Sequence, residues 1–236
     1  MISAKHAALV ATALVSLAAI VACSGARPAP TPSPSASASP ASANGLGSTR
    51  GADDRPVILF VGTSLTAGLG LDPSEAYPAL VQERIDAAGL RYRVVNAGVS
   101  GETSAGARRR VAWLLRQPVA VLVLETGAND GLRGQDPDST RANIQAILDE
   151  ARRREPPPRL VLAAMEALPN YGEAYRRRFR AIYPELAKAS DATLLPFLLA
   201  GVAGEPALNQ PDGIHPTAEG HARIADNVWK ALRPIL

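Results

Sequence analysis

VILFVGTSLTAG, residues 57–68, decides how this chain is read. Val57, Ile58, Leu59, Phe60 and Val61 form an apolar run with no polar residue alternating through it. That is the pattern of a strand buried on both faces, as in the interior of a parallel sheet. Gly62 lets the chain turn, and Ser64 follows at once. Open α/β sheets gather their ligands just beyond the carboxyl ends of strands, where backbone N–H groups receive negative charge. Ser64 is therefore a candidate nucleophile. The plainer alternative is a serine that only caps the next helical segment.

Downstream the same alternation continues. Apolar runs at 93–98, 119–124, 160–164 and 192–197 read as strands, and VAVLVL at 119–124 is hydrophobic enough to be central. Helical spacing runs through 74–88, 103–115, 140–154, 175–189 and 218–232, with Pro184 expected to kink or break the fourth of these. Strands alternating with helices predict an α/β fold: one domain over residues 55–236, doubly wound around a mainly parallel five-stranded sheet with helices on both faces.

The first 54 residues do not belong to that core. Lys5 precedes a run of small and apolar residues over 7–22. At about sixteen residues it is short for a membrane span and suits the apolar core of a signal peptide. Ile20-Val21-Ala22-Cys23 closes it and resembles a bacterial lipobox. Residues 1–22 are thus expected to be cleaved and Cys23 to carry lipid. That would anchor the chain to the membrane of the cell envelope, on a periplasmic or cell-surface side. Residues 23–54 are mainly Pro, Ser, Ala and Gly, too poor in large apolar side chains to order themselves, and are expected to form a tether. Cys23 is the only cysteine, which excludes an internal disulfide.

The formal net charge is +3 over 236 residues. Arginine triplets at 108–110, 152–154 and 176–178 fall in helical stretches, where charge runs form solvated faces. No aromatic residues interleave with them, so nucleic acid is not an expected partner.

Chemistry concentrates at four points. Asp212-Gly213-Ile214-His215-Pro216 sets a carboxylate three residues before a histidine in a bent loop. A general base for a serine needs an imidazole in reach, and that imidazole needs its other nitrogen held. Asp212 and His215 could meet both needs, although a lone histidine there could equally be a surface residue beside a helix. His221 lies inside a helical pattern and is read as structural. Gly101 could offer a backbone N–H, and Asn129 a side-chain amide, to a developing oxyanion. Ordinary turn chemistry would account for either alone. Yet Ser64, Gly101, Asn129 and His215 all follow predicted strand ends, which places them along one edge of the sheet.

Gly62-Thr63-Ser64-Leu65-Thr66-Ala67-Gly68, residues 96–101, Gly127-Ala128-Asn129-Asp130 and Asp212-Gly213-Ile214-His215-Pro216 resemble, in order, the four blocks of the SGNH hydrolases, also called GDSL esterases. The resemblance runs from about residue 56 to the end of the chain. Residues 169–172 and 182–184 resemble the arylesterase and acyl-CoA thioesterase/lysophospholipase subgroup. This resemblance implies a flavodoxin-like sheet, Ser64 as nucleophile, His215 as base and Asp212 as its orienting carboxylate. It implies an oxyanion hole made by the Ser64 and Gly101 N–H groups and the Asn129 side chain. The reaction it implies is acyl transfer through an acyl-enzyme, with no metal and no cofactor. Substrates would be small-molecule or lipid esters: aryl or short-to-medium acyl esters, thioesters or lysophospholipids.

One position departs from the pattern. The family's usual Asp before the serine is Thr63, which can keep a hydrogen bond but not the charge. Asp130 is expected to support the serine loop. Loops 131–137 and 166–171 are expected to line an acyl pocket, with Leu168 and Tyr171 as apolar contacts. A carbohydrate O-acetylesterase acting on envelope polymers shares these blocks and stands as an alternative. A non-catalytic surface binding module is a third reading, opposed by the intact Ser64, Asn129, Asp212 and His215.

Overall fold

The structure, a computed structural model, describes residues 53–236. The expected signal peptide, Cys23 and all but the end of the expected tether lie outside the described residues. Strand β1 (Val57–Gly62) leads into a one-turn helix, α1 (Ser64–Ala67), and then α2 (Tyr77–Ala87). The chain continues as β2 (Arg93–Gly98), α3 (Ser104–Leu114), β3 (Val121–Glu125), α4 (Ala128–Leu132) and α5 (Pro137–Arg152). It ends with β4 (Arg159–Ala163), α6 (Gly172–Ala189), β5 (Thr193–Leu195) and α7 (Ala218–Leu232).

All strand pairings are parallel, in the order β2-β1-β3-β4-β5. The chain winds outward from β1 to one edge, then crosses back over it to build the other half. Right-handed crossovers then put helices on opposite faces in the two directions. Accordingly α2 packs on α7, while α5 packs on both α3 and α6. The winding reverses at β1 and β3, and ligands of such sheets bind outside the strand ends at that reversal.

Every residue of β1 and β3 is buried, as their unbroken apolar pattern requires. Each fully buried Leu, Ile, Val or Phe contributes about 1.5–3 kcal/mol, so the strands that carry the site are held by the packed core. Register places Gly62 level with Gly98. Both positions need glycine for space: a Cβ at Gly98 would come within 2.3 Å of the Ala67 nitrogen.

Three local details differ from the sequence reading. The helix expected over 74–88 is divided: a 3-10 turn, Pro73–Glu75, is capped by Asp72, and α2 starts only after extended Ala76. α6 begins earlier than expected and runs unbroken through Pro184. That proline is exposed, and so is Arg180, whose carbonyl would have paired with the missing N–H. Water can serve that carbonyl while Ile182, Tyr183, Leu186 and Ala187 hold the helix onto the core. Finally, 64–67 and 128–132 are short helices rather than plain turns. Among the described residues no helix is long and apolar enough to cross a membrane.

Candidate active site

Ser64 opens α1 directly after β1, with Thr63 as its N-cap. The Thr63 hydroxyl accepts from the Leu65 N–H at 3.4 Å, a long cap bond. The turn is held from beneath by Glu125, the last residue of β3. Its Oε2 accepts from the Thr63 N–H at 2.7 Å, the Thr63 hydroxyl at 2.9 Å and the Thr66 hydroxyl at 2.9 Å. Glu125 is wholly buried, and burial pushes its carboxyl up against the opposing pull of those hydrogen bonds. Asn96 fixes the far end of α1 by donating to the Thr66 carbonyl at 2.8 Å. Gly62 leaves the room this needs, because a Cβ there would meet the Thr66 Oγ1 at 1.9 Å and Glu125 Oε2 at 2.7 Å.

The histidine arrives on a loop that organises itself. One oxygen of Asp212 accepts from the Ile214 and His215 N–H groups at 2.9 and 3.0 Å, and the other faces His215 Nδ1 at 2.6 Å. These bonds from the His215 backbone and ring, with that from Ile214, hold the Asp212 carboxyl well below the usual carboxylate range. An ionised Asp212 can only accept, so Nδ1 carries the ring proton and Nε2 is free to accept. Nε2 lies 2.9 Å from Ser64 Oγ. Gln210 ties this loop to the segment after Ser64 by donating to the Leu69 and Pro216 carbonyls.

Opposite the histidine, Gly101 turns with φ +77, in the left-handed region. Its carbonyl accepts from Arg133. Asn129, near the start of α4, donates one amide hydrogen to the Glu102 carbonyl at 3.0 Å, which orients the amide and leaves its second hydrogen for a ligand. Glu102 is locked in turn by a two-pronged pair with Arg110, at 2.7 and 2.6 Å.

Ser64, Gly101, Asn129 and His215 line one cavity of about 680 Å³. Leu69, Leu132, Met165, Leu168, Phe197 and Leu199 give it an apolar wall. Leu69, Leu168 and Ile214 also stand more than two-fifths exposed at its mouth. Tyr171 is not among the lining residues. Its hydroxyl donates to the Leu132 carbonyl and its ring tilts against Tyr175, so it braces the 131–137 loop from behind. Asp130 does not touch the serine turn either. It accepts from the Ser104 N–H and hydroxyl at 2.8 and 2.5 Å, joining α4 to the start of α3. The support expected of Asp130 is given by Glu125, which sequence reasoning missed; an acid closing a wholly apolar strand was the available signal. His221 is structural in its contacts: it is buried against Tyr77, whose N–H it accepts at Nδ1. Among the described residues no group of three His, Cys, Asp or Glu side chains could hold a metal ion.

Residues 60–223 match the model of the GDSL-like lipase/acylhydrolase family. Esterase TesA of Pseudomonas aeruginosa is 41% identical over 180 residues, covering 76% of this chain and 89% of that protein. Thioesterase 1/protease 1/lysophospholipase L1 of Escherichia coli is 40% identical over 181 residues, 76% of this chain and 84% of its own. Among solved structures, TesA superposes with a TM-score of 0.72 at 40% identity, covering 76% of this chain and 99% of that one.

Proposed function

Since the chain belongs to the GDSL-like lipase/acylhydrolase family and is an SGNH-type serine ester hydrolase, we propose that Ser64, His215 and Asp212 carry out acyl transfer in it. The observation that carries this is the line from Ser64 Oγ to His215 Nε2 at 2.9 Å and from His215 Nδ1 to Asp212 at 2.6 Å. As Ser64 Oγ bonds to the ester carbonyl carbon, Nε2 takes the hydroxyl proton and Asp212 holds the imidazolium in place. The negative carbonyl oxygen falls to the Ser64 and Gly101 N–H groups and the free Asn129 amide hydrogen. His215 then gives its proton to the departing alcohol or thiol, leaving an acyl-enzyme. Water, deprotonated by the same nitrogen, releases the acid.

The apolar wall of the cavity favours a single acyl chain of more than two carbons over an acetyl group. The substrates we assign are aryl and medium-chain acyl esters, with thioesters and lysophospholipids as the same chemistry on other leaving groups. Rates on p-nitrophenyl esters of increasing length should rise beyond acetate; activity confined to acetate would select the sugar O-acetylesterase instead. Ser64→Ala should lower turnover by about 10⁵–10⁶-fold with the thermal transition unchanged. Full activity in that variant would remove the mechanism.

The location we assign is the cell envelope, with lipid on Cys23 holding the body at the membrane. The apolar run over 7–22 and its lipobox-like ending support this. Palmitate labelling, lost in Cys23→Ala, checks it.

A further inference from the structure

The strongest feature that the acyl-transfer scheme leaves unused is the carboxyl buried below the nucleophile. Glu125 makes no hydrogen bond to the reacting atoms, yet it gathers the turn around them: two groups of Thr63 and one of Thr66 converge on it. Behind Thr66 stands the Tyr77 hydroxyl, 2.7 Å from Thr66 Oγ1. With Glu125 as acceptor the hydrogens run one way. Tyr77 donates to Thr66, Thr66 donates to Glu125, and Thr63 donates to it from the other side. Tyr77 is itself fully buried, packed edge-on against Phe60 and stacked on His221. The network thus joins β3, α1 and α2, with the reactive serine lying between its two threonines.

We propose that Glu125 is a positioning residue for acyl transfer: through Thr63 and Thr66 it fixes the turn that aims the Ser64 hydroxyl at His215 and the Ser64 N–H at the oxyanion. It rests on the acyl-transfer reading above and adds what sets the nucleophile's place. Three features support it. The bonds fall on the residues flanking Ser64 on both sides. The glycine at position 62 keeps open the space through which Glu125 and Thr66 meet. Thr63 also faces Glu125 with a donor hydroxyl rather than a like charge. A misplacement of about 1 Å at a nucleophile costs on the order of 10²-fold in rate, so the pull of one acceptor on this turn is enough to matter.

The experiment compares Glu125→Ala, Glu125→Gln and Thr63→Val with the parent on a p-nitrophenyl ester, each rate divided by the folded fraction from near-UV circular dichroism. Glu125→Ala should lower kcat by about 10²-fold with KM within about threefold. Glu125→Gln, which keeps an acceptor oxygen, should recover to within about tenfold of the parent. Thr63→Val should lower kcat about tenfold, and combining it with Glu125→Ala should cost little beyond the larger single effect. A kcat per folded molecule unchanged in Glu125→Ala overturns the proposal. Should that variant fail to fold, an unchanged kcat in Thr63→Val overturns it in its place. Failure of the esterase reading would look different, since the parent would then be inactive or Ser64→Ala as active as the parent.

Discussion

The nucleophile turn and the histidine loop meet across 2.9 Å, but they are held in opposite ways. Thr63 and Ser64 are 1% and 8% exposed, and their support comes from Glu125, 62 residues beyond Thr63. The Asp212 side chain is 47% exposed, and all its bonds go to residues two and three positions along its own loop. One half of the Ser64–His215 pair is set by the packed core and the other by a short stretch of backbone at the surface. The Ser64 side is the dry half, held among buried groups, and the Asp212 side is the wet half, held by its own loop.

This contrast can be broken from either side. His215→Ala should remove about 10⁴-fold or more of kcat, measured on a soluble ester, yet leave Tm within a degree or two because the loop adds little to the core. Asp212→Asn should cost about 10³–10⁴-fold through loss of the correct imidazole tautomer, again with little change in Tm. Gly62→Ala attacks the buried half. The new methyl group must displace Thr66 or Glu125, so unfolding should show a loss of about 1–3 kcal/mol together with reduced turnover. If Gly62→Ala leaves both intact, the dry half is softer than its packing indicates.

The smallest effect sharpens the same comparison through pH. Burial lowers the pKa of His221 to about 4, so between there and its ordinary value near 6.5 the unfolded chain binds a proton that the folded one refuses. Stability from this group is therefore full above about pH 6.5 and is lost as pH falls toward 4, by roughly 1–3 kcal/mol in all. His221→Asn, whose side-chain oxygen can still accept from the Tyr77 N–H, should flatten that part of the curve. Denaturant melts of the two proteins at pH 7 and pH 4.5 read the difference directly. Glu125, pushed in the opposite direction, remains in both proteins and cancels.

The same division explains what could be read in the sequence. Asp212 and His215 are three residues apart on one loop, so their partnership is visible in the order of letters. Unbroken apolar runs gave away β1 and β3, because a strand buried on both faces has no room for polar residues. Glu125 closes its strand with no hydrogen-bond partner near it in the sequence. Only the pairing of β3 beside β1 brings its carboxyl beneath Thr63. Tyr171 was recognised as an aromatic near the site, but which side of its loop the ring takes is decided by the Leu132 carbonyl, far along the chain. Pro184 is the reverse case, since its local rule yields where Ile182, Tyr183, Leu186 and Ala187 pack the helix onto the core.

Ser64 and His215 lie 151 positions apart, and the base sits only just before the last helix. During synthesis the nucleophile therefore leaves the ribosome long before its base does. Until residue 215 has emerged, the growing chain lacks one partner of the Ser64–His215 hydrogen bond.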